Sequence, residues 1–315
     1  AKVAAAAHAP FITGADPSLM QFDSWQELAN PRDLTKITST PEYAAWNSLR
    51  NSEDSKYLGL TMPRFLGRQP YGANSNPVEE FAFEENTGNA ESANFAWVNA
   101  AYGMATNINR SFKEFGWCSR IRGVESGGTV DNLPTHTFPT DDGGVDMKCP
   151  VEIGISDRRE AELAQGGLMP LIHRKNTDMA AFIGAQSLHN PAEYDDPDAT
   201  ANAALAARLP YLFATCRFAH FLKCMVRDKI GSYKSRDDMQ LYLQKWIDQY
   251  IDYSADVSSE SEKARKPLAA AEVVVEEVDG NPGYYQSKFF LRPHYQLEGL
   301  SVSLRLTSKL PSAKA

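Results

Sequence analysis

Cys216, His220 and Cys224 stand at i, i+4 and i+8 in one stretch of the chain. Thiolate and imidazole are zinc ligands, so a metal centre is the first chemistry to consider. Eight residues of α-helix rise about 12 Å, whereas zinc–sulfur and zinc–nitrogen bonds are about 2.0–2.3 Å. One ion could take two of the three at most, so packed side chains are expected here rather than a metal site. A second raw material is the acidic group Glu79, Glu80, Glu84 and Glu85. Carboxylates do general acid–base work when a partner such as His136 or His189 is held beside them. Here they lie in a polar stretch without a neighbouring histidine or metal motif, which reads as a solvated acidic surface. His8 sits alone in the apolar run KVAAAAHAPFI and reads as a packed histidine with one hydrogen bond. Gly127-Gly128 and Asp141-Asp142-Gly143-Gly144 resemble phosphate or calcium loops, but neither the P-loop pattern nor the EF-hand spacing is present, and turns account for them.

Arg217, Lys223 and Arg227 complete, with His220, a series spaced three, three and four. This basic stripe is either a solvated helix face or an electrostatic interface for an acidic partner. No Rossmann fingerprint, HExxH or GxSxG occurs. No catalytic residue, metal ligand or cofactor is therefore assigned, and the chain is not expected to be an enzyme.

Composition bounds the remaining readings. The 315 residues suit one large domain or two modest ones, with 43% apolar and 23% charged residues, as in ordinary globular proteins. A net charge of −8 argues against nucleic acid as the main partner, because phosphate neutralisation needs Lys and Arg in excess. The four cysteines, Cys118, Cys149, Cys216 and Cys224, form no CxxC pair and read as reduced thiols. No run of about 18 apolar residues exists, so no membrane span is expected. Val3–Phe11 is apolar but lacks the basic flank and cleavage site of a signal peptide. The chain opens Ala-Lys-Val, without Met, and reads as a segment of something longer.

Periodicity predicts the elements that position these residues. Residues 1–20 read as a buried segment and a turn. Ser24–Ala29 and Pro41–Arg50 read as short helices, the second with Thr40 as N-cap. Tyr57–Pro63 reads as a strand, residues 73–95 as a loop, and Phe95–Phe115 as a helix closed by Gly116. Residues 118–150, rich in Gly, Pro and Asp, read as turns. Val151–Ile155 alternates like a strand. A helix follows, with Asp157 as N-cap and Glu160 three residues on, and Gly166-Gly167 stops it before a strand at Leu168–Ile172. Ala199–Lys229 is the longest helical region, bent or broken at Pro210 and ended by Gly231. Ser235 starts the next helix, in which Met239, Tyr242, Leu243, Trp246, Ile247 and Tyr250 form an apolar face. Ser258–Lys266 is helix-prone up to Pro267. The class is α/β (α+β), a mixed sheet flanked by helices.

The last stretch is different in kind. Val273–Val275 is β-branched and ends in the turn cluster Val278–Gly283. Tyr284–Leu291 is aromatic and extended. Val302, Leu304 and Leu306 alternate with polar residues at a period of two. Strands with one apolar face need a partner sheet, and the residues leave open whether that sheet lies in this chain or in a neighbour.

Long runs carry a resemblance. ARLPYLFATCRFAHFLKCMVRDKIGSY, from Ala207 to Tyr233, and YYQSKFFLRPHYQLEGLSVSLRL, from Tyr284 to Leu306, closely resemble the large subunit of the bacterial type VI secretion contractile sheath, the TssC or VipB family. KVAAAAHAPFI, the PRDL at Pro31–Leu34 and the GRQPYG at Gly67–Gly72 fit the same family, and ISDRREAELAQGGLMPLI with GAQSL is more distantly similar to phage tail sheaths.

The resemblance implies a phage-tail-sheath-like fold, with a sheath body over 1–266 and a β-rich inner-layer arm over 267–315. It implies a structural subunit that polymerises with the small sheath subunit (TssB or VipA) and neighbouring protomers around an Hcp inner tube. Contraction of that polymer drives tube and spike into a target cell. It further implies a longer protein, whose N-terminal part pairs with the small subunit and meets the disassembly ATPase ClpV. The location implied is the bacterial cytoplasm, in a sheath attached to an envelope-anchored baseplate. Tyr285, Ser287, Phe289, Leu291, Val302, Leu304 and Leu306 are the implied intersubunit strand residues, the second run being the one expected to cross. A phage-tail or other contractile-injection sheath is the nearest alternative, and an enzyme built on Glu79–Glu85 with His136 or His189 the alternative of another class.

Overall fold

The computed structural model describes the chain except residues 31, 74–75, 88–93, 141, 230–235, 255–256, 278–284, 295–303 and 311–315. The expectations at Gly231, Ser235, Val278–Gly283, Tyr284 and Val302 lie outside the described residues. The chain divides into two compact units. The first comprises Phe11–Arg110 and Arg120–Asn190, and the second Ala1–Pro10, Ser111–Ser119 and Pro191–Ala315. This division does not fall at the expected 266/267, because the C-terminal strands share one core with the helices that precede them.

In chain order the first unit holds β1 (Phe11–Gly14), α2 (Leu34–Thr38), α3 (Ala44–Arg50), β2 (Leu58–Met62), β3 (Phe65–Leu66) and β4 (Trp97–Val98). It continues with the start of α4 (Ala101–Phe115), β5 (Thr129–Val130), β6 (His136–Pro139), β7 (Val145–Lys148), α5 (Asp157–Gln165), β8 (Leu168–His173) and β9 (Ala180–Phe182). Its main sheet runs β1-β2-β8-β9-β5, parallel across the first three strands and antiparallel beyond. Leu168 to Leu171 are all buried, the continuous apolar run of an interior strand. Pro170 has no N–H to offer a ladder. It sits where β8 passes from its parallel partner β2 to its antiparallel partner β9. Met20, Trp25, Leu28, Leu34 and Leu163 pack with Met62 and Leu168 as the core of this unit.

Several local expectations are corrected here. Val151–Ile155 does not form a strand: Val151 makes a single bridge to Phe65, and the following residues bend away. Its buried Glu152 explains this, since the carboxylate is taken by the Arg64 guanidinium, with Nε 3.0 Å from Oε2, rather than by an alternating sheet face. The N-cap of α5 is Ser156, not Asp157, and no side chain caps it. Trp97 and Val98 belong to β4, so α4 starts later than periodicity suggests. Residues 118–150 contain β5 and the β6–β7 hairpin besides turns. Thr40 stands at an N-cap position but makes no side-chain cap.

The stop at Gly166-Gly167 has a clear cause. Gly167 has φ +82°, and a Cβ there would meet the Leu188 carbonyl oxygen at 3.0 Å. Beside it the buried Arg50 donates from Nη2 to the Gln165 carbonyl at 2.8 Å and from Nε to the Leu188 carbonyl at 3.1 Å. A cation on the last carbonyls of α5 also suits the helix dipole.

The second unit holds α1 (Lys2–Ala7), the end of α4, α6 (Pro197–Ala206), α7 (Leu209–Lys229), α8 (Arg236–Ile247), α9 (Glu260–Arg265), β10 (Leu268–Glu277), β11 (Tyr285–Pro293) and β12 (Leu304–Leu310). The expected buried segment at the start is instead a six-residue helix with no buried residue. The break ahead of Pro210 separates α6 from α7 as expected. α9 begins with a capping box, Ser259 and Glu262 each bonding the other's backbone. Among the described residues no helix is long and apolar enough to cross a membrane.

Candidate assembly interface

β10, β11 and β12 form an antiparallel three-stranded sheet in that order. Val273 faces Phe289 and Val275 faces Ser287 across the first ladder. In the second, Phe289 is opposite Leu306, Leu291 opposite Leu304 and Tyr285 opposite Leu310. The period of two puts Ser287, Phe289 and Leu291 on one buried face of β11. Phe289 and Leu291 pack with Val273 and Val275 against Ala214, Phe218, Leu222 and Val226, a spacing of four along α7, and against Leu243 and Ile247 of α8. The other face carries Lys288, which pairs with Glu276, and the exposed Arg292.

This arrangement sorts the expected strand residues. Ser287, Phe289 and Leu291 spend their side chains on the chain's own core. β11 is the central strand, with both ladders filled from this chain. β12 ends the sheet order. Val302 is outside the described residues.

The basic series is not brought together as one face. At about 100° per residue, Arg217 lies about 60–120° round the helix from His220, Lys223 and Arg227. Its guanidinium sits 4.6 Å from the Trp117 ring centroid, 4.8 Å from Phe112 and 5.4 Å from Phe221. It also donates to the Gly116 carbonyl, closing the end of α4. Lys223 Nζ donates to His8 Nδ1 at 3.1 Å, which makes that nitrogen an acceptor. Burial, and then the Lys223 charge, hold the His8 pKa below its ordinary value. His220 Nε2 donates to the carbonyls of Ala7 and His8, at 2.9 and 3.2 Å. Arg227 is turned to solvent beside Asp228.

The metal-type series is likewise divided. Cys216 is buried, and burial pushes its thiol pKa up to about 12. Cys224 is exposed. Among the described residues no three His, Cys, Asp or Glu side chains converge as a metal site. The acidic stretch is not uniformly solvated. Glu79, Glu80 and Glu84 are exposed, but Glu85 is half-buried and bidentate with Arg68, at 2.7 and 2.8 Å, and accepts the Tyr71 N–H at 3.0 Å. His136 lies against Phe95, and His189 donates from Nδ1 to the Ser52 carbonyl at 3.0 Å. Sequence reasoning missed the glutamines of α8, Gln240 and Gln244, whose i, i+4 spacing was the available signal.

Comparison with known proteins bears on this sheet and its helices. A family model described as the EvpB/VC_A0108 tail sheath N-terminal domain matches residues 1–189, and one described as the tail sheath gpW/gp25-like domain matches residues 198–310. The chain belongs to the VipB tail-sheath family. That family is a structural sheath family and not an enzyme family. The type VI secretion system sheath protein TssC1 of Pseudomonas aeruginosa is 75% identical over 314 residues, covering 100% of this chain and 63% of that protein. The chain thus spans less than two thirds of that relative's length.

Two solved structures show weaker likeness. A chain of the anti-feeding prophage baseplate is 12% identical over 84% of this chain and 55% of its own, with a TM-score of 0.39. A sheath tail protein of Desulfitobacterium hafniense is 11% identical over 90% of this chain and 55% of its own, with a TM-score of 0.38. The VipB assignment rests on the family models, not on these. The two models meet between residues 189 and 198, where the compact units also change.

Proposed function

We propose that this VipB-family chain builds the wall of a type VI secretion sheath. With the small sheath subunit (TssB or VipA) it polymerises around an Hcp inner tube on a baseplate, in the bacterial cytoplasm, and contracts to propel the tube. ClpV then acts on the spent sheath through a segment to which no residue here is assigned. The observation carrying this reading is the family match together with a C-terminal sheet that ends in β12. On this reading the stroke draws on a difference between two packings of the same subunits. Neighbours must stay joined while they repack. Backbone hydrogen bonds of an added strand do this, because they are indifferent to side-chain exchange. On this reading a neighbouring protomer joins at the β12 end of the sheet, and the central place of β11 supports that choice over β11 itself.

Deletion of residues 300–315 from the full-length protein, co-expressed with the small subunit, should leave the heterodimer in solution and abolish sheaths in negative-stain micrographs. Sheaths of normal length would overturn the reading. In the same assay Lys223→Glu with Arg227→Glu tests whether the outward part of the basic series meets an acidic surface: fewer or shorter sheaths support that role, and unchanged sheaths remove it.

A further inference from the structure

The sheet has a second edge, along β10, and side chains occupy it. The Val273 N–H donates to Gln244 Oε1 at 2.8 Å, and Gln244 Nε2 donates to the Ala271 carbonyl at 3.1 Å. The Val275 N–H donates to Gln240 Oε1 at 3.1 Å. A residue of a parallel neighbouring strand would make the same two bonds, one to residue i−1 and one from residue i+1. A carboxamide carries the donor and acceptor of a peptide group, so Gln244 stands where a strand residue opposite Glu272 would stand. The same edge continues in real backbone. Ile251 bridges Leu268 in parallel, and the Asp252 N–H donates to the Leu268 carbonyl at 2.9 Å.

The Gln244 amide is also oriented. Its Nε2 donates to Asp248 Oδ1 at 2.7 Å. An ionised carboxylate only accepts, so the NH2 end must face Asp248 and Ala271, leaving Oε1 for Val273. Leu243 and Ile247 of the same helix are fully buried among Val273, Val275 and Phe289, which holds α8 along the strand.

We propose that Gln240 and Gln244 close the β10 edge against strand addition, and so keep the chain from pairing with another copy of itself through Val273–Val275. An open edge bearing a β-branched apolar run is a template for unwanted pairing. Closing it leaves β12 as the other end of the sheet among the described residues. The closure itself does not depend on the sheath reading, because sheath formation is not its readout.

The test uses the full-length protein without its partners. Gln240→Ala with Gln244→Ala should speed hydrogen exchange over 268–277 about fivefold or more, as expected for lost edge hydrogen bonds, and produce self-association in sedimentation velocity. On the Gln244→Ala background, Gln240→Glu keeps an acceptor for the Val275 N–H and should restore protection there and reduce association relative to Gln240→Ala. Unchanged exchange and an unchanged oligomeric state in the double-alanine variant would overturn the proposal. So would a glutamate variant that associates as readily as the alanine one, since the glutamines would then only fill space. If the double variant loses its circular dichroism, Gln240→Ala alone, which removes one bond, is read by the same criteria.

Discussion

At the residue scale, two faces of α7 share one period. Cys216, His220 and Cys224 repeat every four residues, and so do Ala214, Phe218, Leu222 and Val226. Only the second series reaches the C-terminal sheet. Spacing shows that a face exists, but what lies against it is set by chain segments far away. Arg217 makes the same point: its aromatic neighbours Phe112 and Trp117 are about a hundred positions earlier, and nothing local announces them. The two thiols of α7 differ in a way that can be measured. Alkylation with iodoacetamide near neutral pH, followed by peptide mass spectrometry, should label Cys224 rapidly and spare Cys216, which is buried and held un-ionised by a pKa of about 12. Equal labelling of the two in the folded protein would contradict the buried placement of Cys216.

At the element scale, long periodic segments were legible and short ones were not. The amphipathic α8 follows from side-chain period, the break before α7 from Pro210, and the run at β11 from its aromatic residues. The β6–β7 hairpin did not, because His136–Pro139 and Val145–Lys148 are four residues each and sit among turn formers. Val151–Ile155 shows the opposite error, alternation without a strand, since buried Glu152 answers to Arg64. The two faces of β11 give a graded expectation. Phe289→Ala removes a ring that is 2% exposed between α7 and β10, and should cost about 3–5 kcal/mol in chemical denaturation. Lys288→Ala, on the opposite face, loses only the pair with Glu276 and should cost about 1 kcal/mol or less. Similar costs for both would mean that β11 does not present Phe289 to the core.

At the scale of the whole molecule, the sequence showed the α/β class and its sheath kinship, but not the place where the compact units divide. That place depends on which distant segments pack together. Acid should be felt by several histidines at once. Burial, as the largest cause, holds His8, His136, His189 and His294 below the ordinary 6.5. Below about pH 6.5 the unfolded chain takes up protons that the folded chain resists, so folded stability is full above that pH and falls as pH drops toward the lower folded values. Melting temperature should therefore decline from about pH 7 to about pH 5.5, less steeply in His189→Gln. A flat or rising profile would show that these rings are protonated as easily in the fold as out of it.

The partners of α1 carry a consequence for how the chain is made. Ala7 meets His220 across a separation of 213 residues. At ribosomal rates of about 5–20 residues per second, roughly 10–40 s pass between the synthesis of the two. Residues 1–10 emerge long before the helix that receives them, and the second unit closes only when its latest segments are out. Loops this long are slow to close. The first unit, by contrast, has its last residue at Asn190 and is out in full before that helix is made.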